Sequence, residues 1–221
     1  MAGVRSFVER DLPQLGVTIP AASLERFWAM LAHYHAQVWS ASEFARSFGV
    51  SDVTVRRYLD LLTGVFMVRQ LPPWFENLGK RQIRTPKVYL RDSGLLHALL
   101  SVPSFAALES HPKLGASWEG FALEEVLRVT GDRDAYFWHT QGGAALDLLV
   151  FLNGERFGFE FKYADVPTVT RSLQVARHDL RFRQALVVHP GPRSYSLNEW
   201  ADAVSIQDLR RRVKQLADAE K

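Results

Sequence analysis

Apolar residues recur at helical spacing through residues 24–35 (LERFWAMLAHYH). Leu24, Phe27, Trp28, Leu31 and Tyr34 fall on one face, which predicts an amphipathic helix. In the next stretch, SASEFARSFGV, Ser40 and Glu43 stand at capping-box spacing and Gly49 supplies a stop, so a short helix is expected. In SDVTVRRYLDLLTG, Ser51 is placed to N-cap. Val55, Tyr58, Leu59 and Leu62 form the apolar stripe, and Gly64 closes the helix. Two short helices joined by a glycine-containing turn read as a helix-turn-helix. VFMVRQL and KVYLRD then switch to strand patterning, with a loop from Pro72 to Pro86 between them, and SGLLHALL over residues 93–100 reads as a closing helix. The first half is therefore expected to be a winged helix.

The stretch SVPSFAALESHPKLG has two prolines and few periodic apolar positions, and a domain boundary is placed there. Beyond it the pattern reads as a helix from Ser117, strands over 135–140, 144–152 and 156–163, a helix over 170–180 and a strand over 185–189. That order is αβββαβ. The expected organisation is a lead-in segment over 1–22, a winged-helix domain over 23–103, an α/β (α+β) domain over 104–206 and a charged, helical tail over 207–221.

Composition narrows the classes. With 47% hydrophobic and 23% charged residues the chain is not of the disordered type. Its apolar runs are far shorter than the roughly 18–20 residues that cross a bilayer, so no membrane partner is expected. The segment MAGVRSFVERDL has no apolar stretch of signal-peptide length. The chain has no cysteine, which excludes disulfides, a thiol nucleophile and a thiolate metal site, and a cytoplasmic location is expected. The net charge of +3 is unevenly spread: residues 1–100 hold 12 Lys+Arg against 8 Asp+Glu, and residues 101–221 hold 15 against 16. A basic front half points to an anionic partner.

Two features fit DNA as that partner. On the second helix of the helix-turn-helix, Thr54, Arg56 and Arg57, with Asp60, lie off the apolar stripe, on the face that enters the major groove in this motif. In the wing, Gly79–Arg91 carries Lys80, Arg81, Arg84, Lys87 and Arg91 with no acidic residue, which suits phosphate contacts. Winged helices also serve as protein-docking modules, and Asp52 and Asp60 dilute the positive face.

The second half carries candidate chemistry in ALDLLVFLNGERFGFEFKY. Asn153-Gly154 between strand-like runs is a hairpin signal. With those two residues as the turn, Leu152 pairs with Glu155, and the same register sets Asp147 opposite Glu160. Lys162, two residues on, shares their face. Leu146, Leu148, Val150, Leu152, Phe157, Phe159 and Phe161 form the other, apolar face. Opposed carboxylates repel, and a divalent cation between them turns that cost into a binding site. Mg²⁺ (or Mn²⁺) takes one or two carboxylates plus waters and phosphate oxygens and can activate water against a phosphodiester. The plainer reading is that Lys162 neutralises a surface carboxylate cluster. A third carboxylate is expected from the helix GASWEGFALEEVL, where Glu119 shares a stripe with Leu123 and Val126. Glu125 is the runner-up, and a dipole-favoured helix N-terminal Glu is the alternative explanation of Glu119.

Asp147, Glu160-Phe161-Lys162 and a helical Glu119 resemble the D…(D/E)-x-K motif of the restriction-endonuclease-like superfamily, in particular its Holliday-junction-resolvase type. The match covers roughly residues 114–190, with Leu146 where some members carry proline. The resemblance implies an αβββαβ core and Mg²⁺-dependent deoxyribonuclease activity. Asp147 and Glu160 would be metal ligands, Lys162 the water-positioning base and Glu119 an auxiliary ligand among the catalytic residues. A broader resemblance rests on ERDLPQLG, FWAMLAHYH, VSDVTVRRYLDLL, LPPWFENLGKR, PKVYLRDSGLLHALL, HPKLGASWEGF and DLLV…FEFKYAD, which are similar to the C-terminal region of prokaryotic AAA-type ATPases that carries a domain of unknown function. No G-x-x-x-x-G-K-[ST] occurs here. The resemblance therefore implies a fragment, a truncated gene or a partner of an ATPase module that is encoded separately or lost, and no ATP hydrolysis by this chain alone. The alternative function is a non-catalytic DNA- or ATPase-docking module on a degenerate nuclease scaffold.

Overall fold

The structure, a computed structural model, describes Arg10, residues 19–75 and residues 85–218. It is a mixed α/β chain that divides into two compact units. The first comprises residues 1–70 with 88–117, the second residues 71–87 with 118–221.

In the first unit, α1 (Ala21–His33) is followed by β1 (Gln37–Val38), α2 (Ala41–Phe48) and α3 (Asp52–Gly64). Then come β2 (Val68–Leu71), β3 (Lys87–Leu90), α4 (Ser93–Leu99) and α5 (Phe105–Glu109). The apolar stripes become the core: Leu24, Phe27, Trp28, Leu31, Phe44, Val55, Leu59 and Leu62 are all buried in one cluster. Phe27 stands at its centre, edge-on to Phe44, Phe48 and Tyr58 with ring centroids 5.4–5.7 Å away. The turn between α2 and α3 depends on Gly49, which ends α2 at φ 65°, a left-handed conformation that costs glycine nothing. Ser51 then caps α3, accepting the Thr54 amide at 3.2 Å. Strands β1, β3 and β2 form a small sheet in that order. The capping box expected at Ser40 and Glu43 does not form. Ser40 makes no cap bond, and the Tyr34 hydroxyl claims Glu43 at 3.0 Å.

The second unit is built on α6 (Leu114–Thr130), β4 (Ala135–His139), β5 (Ala145–Leu152), β6 (Glu155–Phe161), α7 (Arg171–Leu180) and β7 (Gln184–His189). The αβββαβ order is extended by β8 (Tyr195–Asn198), β9 (Ala201–Ser205) and α8 (Leu209–Asp218). One sheet holds the strands in the order β4-β5-β6-β7-β9-β8. The β4-β5-β6 meander is antiparallel, and β6, β7 and β9 run parallel. Asn153 and Gly154 take φ 50° and 85°, as a two-residue hairpin turn requires. Leu152↔Glu155 through Leu148↔Phe159 pair in the expected register.

That backbone ladder stops at Leu148. Between the pairs Tyr136↔Leu149 and Trp138↔Leu146 the β4–β5 register shifts by one, so Asp147 and Leu148 together face one residue of β4. This β-bulge breaks strict alternation and re-aims Asp147. The clean division of β5 into two faces is thereby corrected: Leu146 joins Leu149 and Trp138 in the cluster packed with Leu173, Ala176 and Leu180 of α7.

Candidate functional site

On α3, Ser51 and Thr54 begin the helix and the Val55–Leu59–Leu62 stripe turns inward. Arg56 and Arg57 are thereby left exposed on the outer face, and among the described residues neither meets a carboxylate. Thr54 is half-buried, its hydroxyl 3.0 Å from that of Ser51. Asp60 on the same face accepts from Gln70 at 3.0 Å, which directs part of its charge along the protein rather than outward. Lys80, Arg81 and Arg84 lie outside the described residues.

Lys87 is not where a phosphate-contacting wing would hold it. Its side chain is 14% exposed, and its ammonium donates to Glu119 Oε1 at 2.9 Å and stands 3.9 Å from Asp147 Oδ1. The Phe137 ring lies 5.9 Å from the same nitrogen. Burial by itself would lower the Lys87 pKa, but the charges of Glu119 and Asp147 outweigh it and raise the pKa instead. The two acids thus favour the charged form of the lysine. The expected nucleic-acid role of Lys87 is corrected accordingly: ion pairing with two acids holds the ammonium inward, away from any phosphate at the surface.

The remaining site residues assemble around the ends of β5 and β6. Lys162 donates to Glu160 Oε1 at 2.9 Å. Thr170, which caps α7 by accepting the Leu173 amide at 3.0 Å, places its hydroxyl 3.1 Å from both Glu160 oxygens. Re-aimed by the bulge, Asp147 accepts the Phe161 amide through Oδ2 at 3.0 Å. The Glu160 pKa is raised, by burial first and by the charge of Asp147, against the opposing pull of Lys162 and Thr170. The Lys162 pKa is also raised: burial opposes its charge, but Glu160 beside it, with Asp147 and Glu119, more than compensates. The shift favours the ammonium form of Lys162. That is the form in which it can offset negative charge on a phosphate.

Glu119, Asp147, Glu160, Lys162 and Lys87 therefore form one network of three carboxylates and two ammonium groups. Glu125 stands apart from it, paired with Arg128 and with Arg210 of α8. The arginine run of the tail is pinned in the same way, Arg211 to Asp208 and Arg212 to Asp202. Sequence reasoning missed Lys87 and Thr170 as members of the network. The signal for Thr170 was its N-cap position. For Lys87 it was the charge imbalance of three acids against one lysine.

As arranged, the donor set does not fit Mg²⁺. Among the described residues no three His, Asp or Glu side chains converge as metal ligands. Each of the three carboxylates already accepts from a protein donor: Glu119 from Lys87, Asp147 from the Phe161 amide, and Glu160 from Lys162 and Thr170. The cation between Glu119 and Asp147 is an ammonium.

Residues 2–106 match the model of a domain of unknown function, DUF8612, and residues 114–209 match that of a second domain of unknown function, DUF4143. The second match is consistent with an ATPase-associated C-terminal region. Two curated relatives, the uncharacterized proteins Mb2031c of Mycobacterium bovis and Rv2008c of Mycobacterium tuberculosis, are each 51% identical over 206 residues. The alignment takes in 93% of this chain but 47% of each relative, so the chain spans about half their length. Among solved structures, the transcriptional regulator PA3341 overlaps 58% of this chain and 88% of its own at 22% identity, with a TM-score of 0.27, too low to carry weight. No helix among the described residues is long and apolar enough to cross a membrane.

Proposed function

We propose that this chain is a DNA-docking module. In this reading the first unit is a winged helix whose α3 enters the major groove, and the second is a restriction-endonuclease-like scaffold whose acidic centre is neutralised by its own lysines. The observation that carries the reading is the Arg56/Arg57 pair, exposed on a Ser51-capped helix behind the Gly49 turn and without carboxylate partners among the described residues. Two guanidinium groups on the outer face of the second helix suit phosphate and guanine edges alike. The P-loop ATPase implied by the sequence resemblance enters as a partner, in keeping with the DUF4143 match and with relatives about twice as long as the shared region.

Fluorescence anisotropy on a labelled duplex, over a series of salt concentrations, tests this. The double variant Arg56→Ala/Arg57→Ala is expected to bind at least tenfold more weakly, with a log K against log salt slope shallower by about 1 for each phosphate that is no longer neutralised. Equal affinity and equal slope in both proteins would end the proposal.

A second reading, phosphodiester cleavage at the same network, is favoured by one observation: Glu160 and Lys162 meet at 2.9 Å with Asp147 and Glu119 close enough to act on Lys162 electrostatically. It requires Lys87 to leave the acids. Nicking of supercoiled plasmid in added Mg²⁺, abolished in both Asp147→Ala and Lys162→Ala, would establish it. Equal residual nicking in all three proteins would be contamination.

A further inference from the structure

Lys162 is engaged by Glu160 at 2.9 Å, whereas Lys87 is the ammonium that reaches both Glu119, at 2.9 Å, and Asp147, at 3.9 Å. Neither acid is well solvated, each side chain being 17% exposed. Two such carboxylates near each other demand a cation, because burying an unpaired charge is costly. A divalent ion shared by these two acids would sit about 2.0–2.1 Å from their oxygens for Mg²⁺. The Lys87 ammonium already lies within 4 Å of an oxygen of each acid. The two cations exclude each other both sterically and by charge, since an ion of +2 beside an ammonium in a poorly solvated site meets strong repulsion.

We propose that Lys87 is the resident cation of this centre, occupying the divalent-metal position between Glu119 and Asp147 and closing the acidic network to Mg²⁺ and Mn²⁺ for as long as it stays there. Taking the ammonium away uncovers a latent metal site of two carboxylates plus waters, with the chemistry of a hard divalent cation. The inference rests on where Lys87 sits and not on the reading of α3 as a DNA helix. Its test contains no nucleic acid, so either can fail alone.

The experiment titrates Mn²⁺ into the full chain and reads free Mn²⁺ by electron paramagnetic resonance. The wild type is expected to show no Asp147-dependent site in the micromolar range. Lys87→Ala, which leaves room for an ion and its waters, is expected to gain one site at least tenfold tighter than any in the wild type. Adding Asp147→Asn to Lys87→Ala should remove that site, and Lys87→Arg, which keeps the positive charge, should not create it. The proposal is overturned if the folded Lys87→Ala protein gains nothing. It is equally overturned if the wild type binds micromolar Mn²⁺ and Asp147→Asn abolishes that binding. This last comparison needs no Lys87 variant, so the proposal can be overturned even if Lys87→Ala does not fold.

Discussion

His35 is buried beside β3, where its Nδ1 accepts the Leu90 amide at 3.0 Å. That bond fixes the neutral ring with its proton on Nε2. Burial, with the nearby charges of Lys113 and His97 adding to it, pushes the His35 pKa down from 6.5 to about 3. Above pH 6.5 neither the folded nor the unfolded ring is charged, and the stability held by the neutral ring is fully present. As pH falls below 6.5 the unfolded chain takes up a proton that the folded chain refuses until about pH 3. Stability then declines by about 1.4 kcal/mol per pH unit for one such proton. Urea unfolding between pH 7 and pH 5 is therefore expected to show a falling midpoint in the wild type and a shallower fall in His35→Gln, whose side-chain oxygen can still accept the Leu90 amide. The His97 pKa is also lowered, chiefly by burial, and its share of the slope remains in both proteins. Identical slopes would acquit His35. Nothing in the local pattern around His35 marks it as a buried acceptor for a strand 55 residues away. Lys87 was hidden for the same reason. Asp147, Glu160 and Lys162 lie on one hairpin, so strand periodicity exposes them, whereas the pairing of Lys87 with Glu119 spans 32 residues and depends on tertiary packing.

Hairpin β5–β6 was readable because its turn and its period are both local. Asn153-Gly154 sets the register, and the five pairs from Leu152↔Glu155 to Leu148↔Phe159 follow. The bulge at Asp147 was not, since it is defined by the count of residues on β4, a different strand. β8 and β9 escaped for another reason. β8, Tyr195–Asn198, is a largely exposed sheet-edge strand of four residues, and β9, Ala201–Ser205, has five, too short a run for alternation to mark either as a strand. Within β6, Gly158 looks like a weak point in an otherwise apolar run, yet the fold uses its missing side chain. A Cβ there would come within 3.1–3.2 Å of three ring atoms of Phe182, which is fully buried. Gly158 is held between Leu149 on one side and Ala185 on the other, so a methyl there needs the strand or the buried ring to give way. Gly158→Ala is expected to destabilise the second unit by about 1–3 kcal/mol through overpacking. Thermal unfolding followed by circular dichroism checks this. Pairing the change with Phe182→Leu, which relieves the crowding, should recover part of the stability. A single variant as stable as the wild type would show that the ring moves freely.

At the scale of the whole molecule the two units interleave along the chain. Residues 71–87 belong with 118–221, and residues 88–117 with 1–70. A linear boundary at 103/104 places residues 71–87 with the first unit. That boundary follows from the two prolines of SVPSFAALESHPKLG, while the loop from Pro72 to Pro86 reads as a connection between the wing strands. In the fold Pro72, Pro73 and Trp74 run beside β4 as an extra edge. Pro73 bridges Phe137 in parallel fashion, the Phe137 amide donates to Pro72 O at 3.0 Å, and the Trp74 amide donates to Phe137 O at 2.7 Å. The Trp74 ring then packs on Tyr136 and Phe151, with centroids 5.0 and 4.8 Å away, and the Arg156 guanidinium lies 5.3 Å from it. Prolines suit this position because an edge needs few donors, and the two amides that matter belong to Phe137 and Trp74. A fragment of residues 104–221 would keep the αβββαβ core but lack this strap and Lys87 with it. The amide and carbonyl of Phe137, a fully buried residue, would be left without their partners, at about 1 kcal/mol for each hydrogen bond, and Tyr136 and Phe151 would be bared to water. Hydrogen–deuterium exchange is therefore expected to show peptides over β4 losing protection in the fragment relative to the full chain, while peptides over β7, in the middle of the sheet, keep theirs. Trp74→Ala in the full chain should weaken β4 in the same direction but less, because the backbone bonds of Pro72 and Trp74 remain. If β4 is equally protected in fragment and full chain, residues 71–87 are a passive connection, and the second unit is complete without them.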